Sequence, residues 1–113
     1  MAIEVIIRRT FEGEEKAQNL APLIVQLRSE AMIQPGYISG ATLRCIDCPG
    51  EYLVLSTWNT IDDWNRWLTS ETRKAIQGQI DALLGEQTEY RVYEPLVGGI
   101  IPRFNNEPRT TDN

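Results

Sequence analysis

Three tryptophans, Trp58, Trp64 and Trp67, fall inside the stretch STWNTIDDWNRWLTS, and the chain has no others. An indole is a large flat apolar surface with one N–H to satisfy, so such a cluster either packs a core or walls a cavity for a flat ligand. Cys45 and Cys48 form a CxxC. Two thiolates supply half of a structural zinc site, and a redox pair needs a helix N-terminus to lower a thiol pKa. This pair instead precedes a Pro-Gly turn, and in a regular strand residues three apart face opposite ways. The plainer reading is a hairpin end that carries two thiols, with no metal held. Arg8, Arg9, Arg44 and Arg91 fall on strand-like stretches. A buried arginine needs an anion, either a carboxylate or a ligand. Cross-strand pairing with Glu4, Glu89 or Glu94 is the simpler source.

The chain contains no histidine. That removes Ser-His-Asp and Cys-His nucleophile pairs, histidine-bound metals and a proximal haem ligand. Proton transfer is left to carboxylates, Lys, Tyr, Cys, water or the substrate's own acidity. With 113 residues, 42% hydrophobic and 24% charged, the chain reads as one globular domain. A net charge of −5 argues against nucleic acid and anionic membranes as partners. No apolar run approaches the ~20 residues that span a bilayer. The opening MAIEVIIRRTFEGEE lacks the apolar centre of a signal peptide, so a cytoplasmic location is expected.

These side chains must be positioned by elements that the pattern also suggests. IEVIIRRT, residues 3–10, reads as a strand that puts Arg9 on the face of Ile3, Val5 and Ile7. Leu20, Leu23, Ile24, Leu27 and Ala31 follow helical spacing. Pro22 lies within that span, so the helix either begins near Asn19 or kinks at the proline. YISGATLRCI and YLVLSTW read as two strands joined by a DCPGE turn. Thr60 and Asp63 form a capping box for a short helix, and Ser70 caps a second one that runs to Gly85. QTEYRVYE is the last strand. The order β-α-β-β-α-β predicts an α+β ferredoxin-like sandwich over residues 1–94. Residues 95–113 form an extension whose LVGGII could lie on a partner subunit. Helices on one side leave the other sheet face to be covered, and a second copy in a homodimer is the expected cover. On the short helix Ile61, Trp64 and Leu68 share one face, with Trp67 about 60° round from Trp64 at its edge. Trp64 and Trp58 read as core, and aromatic stripes of this kind are usually packing for Trp67 as well.

With strand order and tryptophans in place, EVIIRRT, QPGYISGATL and YLVLSTWNTIDDWNRWLTSETRK resemble the antibiotic biosynthesis monooxygenase family over roughly residues 1–94. The resemblance implies a dimeric α/β barrel with helices outside and a pocket between helices and sheet. Known activities in such proteins include oxygenation of polycyclic aromatics without metal or flavin, and oxidative haem breakdown. The haem-degrading branch has a tryptophan, a histidine ten residues later and an asparagine on the first strand. Trp67 matches the first, Gln77 stands in place of the second, and Ile6, Ile7 and Arg8 offer no asparagine. Haem degradation by that chemistry is therefore disfavoured.

The resemblance thus turns Trp67 into a pocket wall, with Gln77, Asn65 and Arg8 or Arg9 as polar contacts to a small phenolic or polycyclic aromatic molecule. No base can be named, and no cofactor is expected. The competing readings are a non-catalytic binding protein and a dimerisation domain with a vestigial cavity. A pocket of roughly 300 Å³ or more with convergent polar groups would favour a ligand.

Overall fold

The computed structural model describes residues 2–85 and 88–96. Along the chain run β1 (Ile3–Thr10), α1 (Glu14–Met32), β2 (Tyr37–Arg44), β3 (Glu51–Trp58), α2 (Ile61–Leu68), α3 (Glu71–Leu84) and β4 (Glu89–Tyr93). The strands form one antiparallel sheet in the order β2-β3-β1-β4. This is the expected α+β ferredoxin-like arrangement. The residues from 97 onward, including most of LVGGII, lie outside the described ones.

β1 shows the period of two that a half-buried strand requires: Ile3, Val5, Ile7 and Arg9 are buried, and the residues between them are not. Strand pairing sets Trp58, Ser56, Val54 and Tyr52 beside these four on the helix-covered face. The core joins Ile3, Val5 and Ile7 to Leu20 and Leu27 of α1, the three tryptophans, and Ile76 and Ile80 of α3. The opposite face carries Ile6, Leu53 and Leu55, with Leu43 and Tyr93 at its flanks. No element of the described chain covers it.

α1 begins at Glu14 and runs through Pro22 without ending there. Pro22 and Gln18, whose carbonyl loses its i+4 donor, are both exposed, so water can satisfy that carbonyl. The capping expectations hold at α2 and α3. Thr60 Oγ1 accepts from the Asp63 N–H at 3.1 Å and donates to Asp63 Oδ2 at 2.8 Å. Ser70 Oγ accepts from the Arg73 N–H at 3.1 Å, and Gly85 ends α3 in the left-handed region at φ 78°.

The CxxC departs from expectation. Cys45 and Cys48 are joined as a disulfide, their Cα atoms 5.2 Å apart. The chain leaves β2 after Arg44, so the strand geometry that would separate the two side chains does not apply to residues 45–50. Glu51 N–H donates to the Cys48 carbonyl and Cys45 N–H to the Glu51 carbonyl, which closes the hairpin around the bridge. Glu51 also lies beside the two sulfurs, the three ligand atoms within 4.8 Å of one another. That is the one three-donor cluster among the described residues, and its thiols are spent in the bridge.

Candidate functional site

The tryptophans converge because their elements do. β3 ends at Trp58, the Thr60 box turns the chain at once into α2, and α2 then drops Trp64 and Trp67 onto the sheet. Trp58 is held from within its strand, its Nε1–H donating to Ser56 Oγ at 3.0 Å. Trp64 meets the Trp58 ring at 5.7 Å between centroids and 63° between planes. On its other side lies Tyr90 of β4, also at 5.7 Å. The Arg73 guanidinium carbon stands 5.4 Å from the Trp64 ring centroid, a cation–π distance.

Between these rings, α1 and the sheet lies a cavity of about 60 Å³. Its walls include Trp58, Trp64, Trp67, Tyr37, Arg9 and Arg73. Only a water or a small substituent fits there. Beside it, between α1 and the far ends of β1 and β3, a groove of about 300 Å³ has mainly apolar walls, among them Phe11, Ala21, Val25 and Tyr52. Arg9, Ile24, Thr42 and Val54 wall both spaces. The inner cavity alone falls far below the volume of an ordinary ligand pocket, whereas the groove reaches its lower bound.

The sequence-expected residues divide. Trp67 and Arg9 face the inner cavity, and Arg9 also reaches the groove. Trp67 is only 3% exposed, so it is core and wall at once, and 60 Å³ leaves no room for a ring to stack on it. Gln77 is buried on α3 but walls neither space. Its Nε2 donates to Asp81 Oδ1 at 2.9 Å and to Thr88 Oγ1 at 2.7 Å, so the amide ties α3 to the start of β4. Asn65 is exposed on α2 and walls neither space. Arg8 lies on the open sheet face, 3.7 Å from Glu51 and 3.5 Å from Glu89. The cross-strand pairing expected of the arginines therefore belongs to Arg8. Arg9 points the other way, into the helix-covered layer.

Arg73 is the site residue that the sequence reading missed. Its signal was present: Arg73, Ile76, Gln77 and Ile80 are spaced i, i+3, i+4, i+7 and are the buried residues of α3. Burial first, and then the neighbouring Arg73 charge, bring the pKa of Arg9 down to about 10 against the pull of Asp81. Arg73 is shifted in the same direction, again by burial first, with Tyr90 and Asp81 opposing. Both remain cations at neutral pH.

Solved structures share this frame. A conserved protein from Methanosarcina mazei Go1 is 22% identical, with a TM-score of 0.73 over 82% of this chain and 91% of that one. SnoaB, a cofactor-independent oxygenase from Streptomyces nogalater, is 19% identical, with a TM-score of 0.72 over 84% and 93%. Rv0793 from Mycobacterium tuberculosis is 18% identical, with a TM-score of 0.73 over 85% and 96%. At such identities the likeness speaks for the fold alone. No curated protein matches the chain. The sequence itself carries the stronger evidence, for residues 3–79 match the profile named "Antibiotic biosynthesis monooxygenase". The chain belongs to the antibiotic biosynthesis monooxygenase family.

Proposed function

We propose that this protein is a small oxygenase that needs no prosthetic group and acts on a phenolic or polycyclic aromatic compound bound between α1 and the sheet. The observation that carries the reading is the join between a tryptophan-walled cavity and a 300 Å³ apolar groove, with one arginine in the wall of both. The rings lie in the groove against Phe11, Ile24 and Val54, and a ring substituent reaches toward Trp67. An ionised phenol or anthrone delocalises charge onto a ring carbon, which can bond to O₂ directly. The resulting hydroperoxide loses water and leaves a carbonyl, so one oxygen atom enters the product and the other leaves in water. The protein's part is orientation, exclusion of water and hydrogen bonds to the developing oxyanion. SnoaB, a cofactor-independent oxygenase on the same fold, makes such chemistry reasonable for this scaffold.

The reading includes a homodimer, supported by the apolar sheet face that carries Ile6, Leu53 and Leu55. It also includes a cytoplasmic location, supported by the absence of any helix long and apolar enough to cross a membrane among the described residues. The Cys45–Cys48 bridge counts against that location, because cytosolic thiols are usually kept reduced. A second reading, a ligand-binding protein without catalysis, rests on the same groove, whose walls include no carboxylate among the described residues to act as a base.

Tryptophan emission and oxygen uptake, followed together against hydroxylated polycyclic aromatics, separate the two. Saturable quenching with oxygen consumed, both weakened in Trp67→Phe, is the result expected of the oxygenase. Quenching without oxygen uptake across the panel would sink it in favour of the binding protein.

A further inference from the structure

An ionised side chain taken out of water costs several kcal/mol unless it is paired and hydrogen-bonded. Two such groups border one space here. Arg9 is 3% exposed and Arg73 is 6% exposed. Nε and Nη1 of Arg9 are buried with no hydrogen-bond partner among the described residues. Neither arginine forms an ion pair among those residues. Asp81 supplies an opposing charge to both arginines, but its Oδ1 already accepts from Gln77 Nε2, the Thr88 N–H and Thr88 Oγ1.

Arg28 walls the inner cavity as a third cation, its Nη2 donating to the Gly40 carbonyl at 3.2 Å. Among the described residues Tyr37 from β2 and Tyr52 from β3 are the only other titratable walls of the two spaces, and Tyr90 from β4 faces Arg73. No aspartate or glutamate borders the cavity or the groove among the described residues. In a chain with 16 acidic residues against 11 basic ones, a cavity with cationic walls and no acid is a pronounced local inversion of charge.

We infer that Arg9, backed by Arg73, is the receptor for a ligand oxyanion, and that the aromatic ligand is bound as its anion. This rests on the reading of the groove as the ligand site. Ionisation is ArOH to ArO⁻ with the proton passed to bulk water, so no wall residue need accept it. The oxyanion then takes the unfilled donors of Arg9, while the rings keep the apolar walls. Each tenfold preference of the cavity for anion over neutral form lowers the bound ligand's pKa by about one unit. A chain without histidine, and a cavity without a carboxylate, thereby obtains an ionised substrate.

The test uses the full chain under argon with three probes: 2-hydroxyanthraquinone, whose absorbance shifts to the red on ionisation, its methyl ether, and anthraquinone-2-carboxylate. The hydroxyl compound should bind as the red-shifted anion at a pH where the free compound is neutral. It should bind at least tenfold more tightly than the ether. Arg9→Met should abolish the red shift and the preference for the hydroxyl compound over the ether, and Arg73→Met should reduce the shift. Tight binding of the carboxylate while the hydroxyl compound stays neutral would support the anion site and place the charge on a side group instead of the reacting ring. Without ligand, Arg9→Met should melt higher than the wild type, since it removes an uncompensated buried charge. Equal binding of ether and hydroxyl compound overturns the inference, as does failure of all three to bind or a lower melting temperature for Arg9→Met. Readmitting air then tests the oxygenase separately: a bound anion that consumes no oxygen defeats that reading and leaves the anion receptor standing.

Discussion

Arg9 is an arginine on a strand whose alternate neighbours Ile3, Val5 and Ile7 are core, and its folded pKa, lowered to about 10, lies below its value in the unfolded chain. Between those values the unfolded chain binds more protons, so stability rises with pH across that window. The advantage of Arg9→Met over wild type should accordingly shrink as pH climbs through about 10, measured by urea unfolding at stepped pH. Asp63 illustrates the opposite sign. Its hydrogen bond from Arg66 at 2.9 Å, and then that from Thr60, hold the carboxyl below its usual range. A depressed carboxylate stabilises the fold above its unfolded pKa, and that gain is lost as pH falls through the folded one. Asp63→Asn should be less stable than wild type at neutral pH and equal to it in strong acid, again by urea unfolding. Trp67 belongs to core and cavity together, so Trp67→Ala should cost about 3–5 kcal/mol of stability as well as any ligand response. Trp67→Phe keeps most of the packing, which makes it the better probe of function.

Among the elements, α1 carries the plainest correctable flaw. Pro22 in its interior leaves a carbonyl without a donor, so Pro22→Ala should raise stability by about 1–3 kcal/mol in the same assay. The Cys45–Cys48 bridge closes a loop of only a few residues, and loop-closure entropy then gives it about 2 kcal/mol at most. Reduction should lower the melting temperature modestly and leave the helical circular dichroism intact. Elements were legible where local pattern decides them: the alternation of Ile3, Val5 and Ile7, the Thr60 and Ser70 caps, and the Gly85 stop all read directly. What failed depended on side-chain partners and a turn that the local pattern does not fix. Gln77 has the correct helical face for a ligand contact, but Asp81 and Thr88 claim its amide. Among the described residues Arg9 has no ion-pair partner, because the antiparallel register sets Glu89 opposite Arg8 and so on the other face. The cysteine pair was misjudged because strand geometry was extended beyond Arg44, where the turn begins.

For the molecule as a whole, one sheet face is buried under three helices and the other offers Ile6, Leu53 and Leu55 to whatever covers it. If that cover is a second copy, Leu53→Asp should convert a particle of twice 12.9 kDa into one of 12.9 kDa in sedimentation equilibrium. The helix-covered side holds a continuous run of rings from one end of the sheet to the other. Tyr37 on β2 meets Trp58 edge-on at 5.3 Å, Trp58 meets Trp64, and Trp64 meets Tyr90 on the opposite edge strand. Indoles this close and inclined at 63° share their excited states, so the ultraviolet circular dichroism should contain a split pair of bands of opposite sign. Those bands exist only while β3 and α2 are docked together. The protein therefore carries an optical gauge of its own tertiary packing, readable without a label and independent of the helix signal.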